Sequence, residues 1–351
     1  MTILIMAMGI SLVFSVLEFK HLTTATERIL FAISSFSLFV LMGLNRMNPD
    51  YEGYFGSFYN GNRGHEIGYQ MLNRLFKSLG LPFETLMALM AVLLLTVLWI
   101  GLRGHFSNWV IVFYLIYPLA LDLPQMRNTF MYLIVILAVL LFANRSRIAY
   151  LASVLLAASM HILGALYLPL VFLFKMTRKN FFKWIGVLAL ALFAGAIGLR
   201  IANLKWVLHP EITEEIRPYG YFLFAVQVLE LSIDLFTYWW VDRKLKNKVA
   251  PDTQARLESL YRFGWYSALY LPLLIVHGQM YRIRRNAQLV KYIYSGIALK
   301  YLNRRDQLIL IGLIFMNLAL IVFFMIQAND QGVYFWFDSN LLVDTINKMI
   351  P

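Results

Sequence analysis

Cysteine is absent from the 351-residue chain. Its absence excludes disulfides, thiolate nucleophiles and thiolate metal sites. Charge is scarce as well: 14% of residues are Asp, Glu, Lys or Arg, against roughly a quarter in a soluble globular protein. Internal repeats, low-complexity tracts and flexible linkers are missing, so the chain reads as one domain, 1–351. The six His and the carboxylates show no metal-ligand spacing. There is no Gly-rich phosphate loop and no defensible Ser-His-Asp order. No metal and no cofactor are expected.

Apolar residues fill the space that charge leaves. Hydrophobic residues make up 60% of the chain, with 27 Phe, 20 Tyr and 8 Trp. Large aromatics suit lipid-facing surfaces and headgroup belts. A net charge of +12 would suit nucleic acid on a soluble basic face. Here the basic residues sit in short clusters between apolar runs, which sets orientation in a bilayer instead. The expectation is an all-α polytopic membrane protein, with membrane lipids as partners and no nucleic acid.

A spanning helix needs about 20 apolar residues, fewer where the membrane is thin. Ten runs qualify: 2–17, 29–45, 82–102, 109–122, 128–143, 182–200, 221–241, 259–277, 281–302 and 307–327. The first lacks a positive n-region and a small-residue cleavage site, so it reads as a retained helix with its N-terminus outside. An eleventh stretch, 148–174, contains His161, Gly164 and Pro169. If it crossed, the basic clusters from Lys175 to Lys183 and from Arg243 to Lys248 would lie outside. It therefore reads as two half-membrane helices broken near His161; one long tilted helix is the alternative. Outer segments are then the loop 46–81, the turn from Asp122 to Asn128, 201–220 and the tail 328–351. In the loop, residues 65–79 read as one amphipathic helix, with Gly68, Leu72, Leu75, Phe76 and Leu79 on its apolar side and Asn73 opposite.

Ionisable groups at membrane depth are costly and mark function. Arg127 lies in a turn between two short runs, which recesses it below the outer surface; snorkelling to headgroups is its bland alternative. Arg282, Arg284 and Arg285 sit at the outer end of a late run, against the positive-inside trend. Guanidinium forks there suit phosphate; an inverted orientation is the other reading. Arg284, Gln288, Lys291 and Ser295 share one helical stripe. On 221–241, Glu230 and Asp234 need partners, and a structural ion pair between Glu230 and Lys291 is favoured over a proton relay. His161 is as readily a packed group as a catalytic one.

A pattern spread over most of the chain resembles the EpsG family of Wzy-type exopolysaccharide and O-antigen polymerases. It comprises Arg46 with Asp50, Tyr51 and Tyr54; Glu66-Ile-Gly68-Tyr69-Gln-Met-Leu72-Asn73; Arg127; His161 through Pro169; Tyr281-Arg282; and the aromatic run Tyr334 to Phe337. The turn reads Gln125-Met-Arg127-Asn128 where the family has Arg-Gln followed by a small residue. The resemblance implies a GT-C-like integral membrane glycosyltransferase of about ten spans. It would join undecaprenyl-pyrophosphate-linked oligosaccharides at the outer face of the bacterial inner membrane, and it allows a chain-length regulator as partner. It implies Arg127 and Arg282 on pyrophosphate, helped by Arg284 or Arg285. His161, then Glu66, would be the base, with Asp50, Tyr54, Tyr69 and Asn73 as sugar contacts. An O-antigen ligase is the nearest alternative, though its usual large late loop is missing. A transporter would show paired repeats with broken helices in both halves.

Overall fold

A computed structural model describes residues 2–20, 22–46, 48–61, 64–201, 221–275 and 280–327. Most of the segment 201–220 and the whole tail 328–351, with its aromatic run, lie outside the described residues. Every extended element among the described residues is helical. Two long helices come first, α1 (Thr2–Leu17) and α2 (Thr24–Gly43). Thr23 caps α2 by accepting the Thr26 N–H at 3.2 Å, which satisfies one of the helix's orphan donors.

The loop 46–81 holds two helices, α3 (Tyr51–Asn60) and α4 (Ile67–Ser78), where one was expected. The packed face of α4 is Gly68, Tyr69 and Asn73. Its apolar residues Ile67, Met71, Leu75 and Leu79 are exposed instead. This reverses the expected orientation of Asn73. An exposed apolar stripe of this kind suits a bilayer interface. Gly80, at φ +68°, turns the chain into α5 (Glu84–Gly101).

The expected span 109–122 is divided by Pro118 into α6 (Trp109–Ile116) and α7 (Leu119–Asp122). Next come α8 (Met126–Phe142) and α9 (Arg147–Met160). Ser146 caps α9 by accepting the Ala149 N–H at 3.2 Å. His161 is extended and ends the helix. A 3-10 turn, Ile162–Tyr167, and α10 (Leu170–Leu173) then fold back along α9. Three contacts fix this reversal. A Cβ on Gly164 would lie 2.6 Å from the Ala158 nitrogen. The Tyr150 hydroxyl, near the start of α9, donates to the Tyr167 carbonyl at 3.1 Å. Tyr150 and Phe174 meet edge to face at 5.6 Å. The segment 148–174 is thus a hairpin broken at His161, as its loop charges require, and the tilted single helix is ruled out.

Helices α11 (Arg178–Ile201), α12 (Tyr221–Leu245) and α13 (Pro251–Ser267) follow. Arg178 ties them together, binding Asp242 and Glu258 at 2.6 Å each. Arg262 of α13 donates to the carbonyls of Leu173, Phe174 and Met176 at 2.7 to 3.1 Å, closing the end of α10. After a 3-10 stretch, Ala268–Ile275, come α14 (Tyr281–Leu299) and α15 (Arg304–Gln327). Every residue of α14 from Ile283 to Leu299 is buried. It is the central helix, although its sequence is the most basic.

Among the described residues, five helical stretches are long and apolar enough to cross a membrane: Ile3–Lys20, Thr24–Gly43, Glu84–Gly101, Arg178–Gly198 and Arg304–Phe323. Exposed Ile5, Met6, Val13, Leu190 and Phe193 on the outermost helices suit lipid contact. The architecture is that of a multi-pass helical membrane protein.

Candidate functional site

Helix ends deliver the site. Glu66 is the N-cap of α4, Arg127 and Arg282 lie in the first turns of α8 and α14, and His161 closes α9. Arg127 Nη1 donates to Glu66 Oε2 at 2.5 Å. Glu66 Oε1 accepts the Ile162 N–H at 3.2 Å. One carboxylate therefore joins α4, the start of α8 and the reversal after His161. Gly68 makes this approach possible, since a Cβ there would meet Ser159 Oγ at 2.1 Å.

The other expected residues surround this link. The Tyr54 hydroxyl lies within electrostatic reach of Arg127, and the Tyr54 and Tyr69 rings meet edge to face at 5.8 Å. Asp50 lies within electrostatic reach of Arg282 and Arg127, and His161 within reach of Glu66, Arg127 and Arg282. Asp50 and Tyr54 thus border the arginines. Tyr69 and Asn73 are 0% and 2% exposed and, as placed, present no face to a ligand; they support the wall that carries Glu66.

Electrostatics sort the ionisable groups of this loop and turn. Burial raises the Glu66 carboxyl, but its own backbone N–H, Arg127 and His161 outweigh burial and hold it below the ordinary value. Burial raises Asp50 against the opposing pull of Arg282 and Arg127. His161 lies in the turn between half-helices, outside any spanning segment. Burial lowers it to about 4, against the pull of Glu66 and with help from Arg127, Arg282 and Arg285. Its Nδ1 accepts the Leu163 N–H at 3.2 Å, so the neutral ring carries its proton on Nε2. The Nε atoms of Arg127 and Arg282 and the Oε1 of Gln125 are buried without a hydrogen-bond partner. Unsatisfied buried donors on two guanidiniums that both reach Asp50 and His161 favour an anion.

Arg284 and Arg285 do not join this group. Arg284 is 3% exposed and donates to Glu230 at 2.9 Å, Asp234 at 3.2 Å and the Gln227 carbonyl at 2.8 Å. Arg285 is 2% exposed and faces Asp122, Nε to Oδ1, at 3.4 Å. Both are buried against acids inside the bundle, which corrects their expected role beside the pyrophosphate, although the Arg285 Nε and Nη2 lack a hydrogen-bond partner and its charge still reaches His161. The expected Glu230–Lys291 pair is also re-partnered. Lys291 binds Asp234 at 2.6 Å and Asn317 at 2.6 Å, while Glu230 binds Arg284. The stripe Arg284, Gln288, Lys291 does face α12, since Gln288 reaches Asp234 at 2.9 Å. Glu230 and Asp234 lie about one turn apart on one face of α12; Arg284 reaches both and Lys291 only the second.

Asp122 was missed. It is fully buried, and its Oδ2 accepts the hydroxyls of Tyr114, at 2.7 Å, and Tyr132. The signal was present, because an acid ending an apolar run is the same costly feature that singled out Glu230. Asn128, Asn286 and Tyr167 were missed too. Asn128 donates to Asn286 at 3.0 Å, and Asn286 to the Tyr167 hydroxyl at 3.4 Å. Uncharged side chains beside a conspicuous arginine carry no comparable sequence signal.

At one end of the bundle, then, two arginines with unsatisfied donors meet an ionised carboxylate, a neutral imidazole and a tyrosine. Among the described residues no group of His, Asp and Glu could hold a metal ion. A model of the EpsG family matches residues 28–338. No curated protein and no solved structure matches the chain.

Proposed function

The chain belongs to the EpsG family, and from that premise we propose that it is a polysaccharide polymerase acting on lipid-linked repeat units. The donor would be an oligosaccharide on undecaprenyl pyrophosphate, and the reaction would take place at the outer face of the bacterial inner membrane. A GT-C-like architecture is part of the same proposal. The observation that supports it most is the pairing of Arg127 and Arg282, two half-buried or buried guanidiniums at separate helix starts with unsatisfied Nε donors.

In this reading the bond between the sugar's anomeric carbon and the pyrophosphate oxygen breaks as the acceptor hydroxyl attacks. Negative charge develops on the departing pyrophosphate. Arg127 and Arg282 oppose it from fixed positions, which is usually the largest catalytic contribution. His161 Nε2–H serves as a further donor to that anion, because Nδ1 is already occupied by the Leu163 N–H. The hydroxyl proton then goes to Glu66. Both its oxygens are engaged, yet each keeps a further lone pair. This shifts the base from His161, the first expectation, to Glu66. Asp50 and Tyr54 border the acceptor sugar.

The test replaces each arginine in a deletion strain. Arg127→Ala and Arg282→Ala should leave protein levels normal and abolish polymer. The Lys versions should keep at most a small fraction, since Lys retains charge and loses the fork. Lipid-linked single units should accumulate and be open to an external glycosidase. Polymer that forms but stays on its lipid carrier would identify a ligase instead. Single units held on the inner face would identify a transporter. Normal polymer in both Ala variants would end the proposal.

A further inference from the structure

The opposite end of the bundle carries a second cationic site. Arg127 sits in the first turn of α8 and Arg145 just beyond its last residue. Seventeen residues at about 1.5 Å each put the two ends about 26 Å apart. Around Arg145, where α5 and α8 end and α13 begins, lies a cavity of about 570 Å³. Arg103, His105, Asn144, Arg145, Asp252 and Arg256 are among its lining residues. That volume is within the range of small-ligand sites, about 300–1,000 Å³.

Its charges are not balanced. Arg103 and Arg145 both lie within electrostatic reach of Arg256, with Asp252 as the opposing carboxylate. Among the described residues none of these three arginines has a carboxylate at ion-pair distance. Arg178 and Arg262, elsewhere in the same half of the bundle, each do. Like charges gathered around one cavity raise the free energy of the empty site, and an anion lowers it.

The cavity is also built. Arg256 Nη1 is held by the carbonyls of Gly101 at 3.2 Å and Arg103 at 3.1 Å. His105 is fixed between the Arg103 carbonyl at 3.1 Å and the Tyr301 hydroxyl at 2.6 Å. Asn144 ties the end of α8 to α13 through Ser259 Oγ at 2.8 Å. Gly104, at φ +79°, allows the turn that brings Arg103 to the rim. The first turn of α13 opens here with no side chain capping it. Arg103 and Arg145 are exposed, and neither side chain makes a structural bond among the described residues, so both are free to close on a ligand.

We infer that this cavity binds a phosphate-bearing anion, at a site separate from the Glu66–Arg127 centre. Guanidinium forks match phosphate oxygens better than they match a single carboxylate. The phosphate could belong to an acidic phospholipid headgroup or to a free phosphate or pyrophosphate. The inference does not depend on the polymerase reading.

The experiment uses the full chain in nanodiscs and follows thermal unfolding. One arm holds phosphatidylcholine alone and titrates inorganic pyrophosphate. The other replaces part of the phosphatidylcholine with phosphatidylglycerol. A rise of several degrees is expected in one arm, and the arm that responds identifies the source. The Arg103→Ala/Arg145→Ala double variant should lose the rise. Arg103→Gln and Arg145→Gln singly should each weaken the apparent affinity about tenfold, the loss of one charge-assisted contact. Lys246→Ala, which removes an exposed charge outside the cavity, should keep the rise. No rise in either arm would overturn the inference. So would an undiminished rise in the double variant, or an equal loss in Lys246→Ala, which would mean diffuse surface charge.

Discussion

Asn128 donates to Asn286 at 3.0 Å, and each lies beside or one turn below an arginine of the candidate centre: Arg127 precedes Asn128, and Arg282 is four residues before Asn286. The buried amide pair fixes the spacing of the two helices that carry the guanidiniums. Asn286→Leu strands the Asn128 amide, at about 1–3 kcal/mol. Unfolding of the purified protein should shift by that amount, and polymer yield should fall even though both arginines remain. Asn128→Leu/Asn286→Leu should recover stability but not yield. Full yield in the double variant would mean that the pair does not position the arginines.

Gly68 separates two roles for glycine in the loop 46–81. A Cβ at Gly68 meets Ser159 Oγ at 2.1 Å and the Ser159 carbonyl oxygen at 2.8 Å, while one at Gly56 meets nothing within 4 Å. Gly68→Ala should push α4 from α9, part Glu66 from the Ile162 N–H and slow polymerisation by about tenfold or more, ~1.4 kcal/mol in barrier. Gly56→Ala should leave the rate unchanged and stabilise α3 by about 0.5–1 kcal/mol. Equal rates for the two variants would remove Gly68 from the argument.

The buried network predicts which charges are coupled. Lys291→Met leaves Asp234 with one base fewer, and breaking such a pair costs about 3–5 kcal/mol. Lys291→Met/Asp234→Leu should cost less than Lys291→Met alone. A double-mutant cycle should give stronger coupling for Lys291 with Asp234 than for Lys291 with Glu230, because only the first pair is in contact. Equal coupling would place the two acids at equal distance from Lys291.

The pH profile should lack a histidine step. His161 is lowered from its ordinary 6.5 to about 4 by burial, then by its arginine neighbours against Glu66. It is therefore neutral above that value; below it Nδ1 gains a proton and can no longer accept the Leu163 N–H, while Nε2–H stays a donor. Glu66, held below the ordinary 4.5 by its own N–H, Arg127 and His161 against burial, contributes stability that is fully present above 4.5. That stability is lost as pH falls through the lowered value. Polymerisation of purified lipid-linked units should hold level from pH 7 to below 6 and decline only toward 4. An inflection near 6.5 that disappears in His161→Gln would contradict the buried placement of His161.

Much of this architecture is carried by local pattern. Long apolar runs make α1, α2, α5, α11 and α15, because each needs only enough length and apolar side chains to satisfy its backbone alone. The reversal at His161 was also legible, through the basic loops on either side, since charge placement constrains which segments cross. The partners inside the bundle were not. Arg282, Arg284 and Arg285 read alike in the sequence, yet among the described residues Arg282 has no carboxylate at ion-pair distance while the other two are buried against acids. A helix turns about 100° per residue, so neighbours in the chain face different helices, and only the packing of α12 and α7 against α14 decides which arginine remains free. Asn73 shows the same limit. Polarity placed it on the outer side of α4, but Gly68 lets that face approach α9, and close packing of backbones outweighs the preference of one amide for water. The sequence by itself determined the long apolar helices, the membrane class and the family. Tertiary packing decided which charges cancel and which remain to meet a substrate.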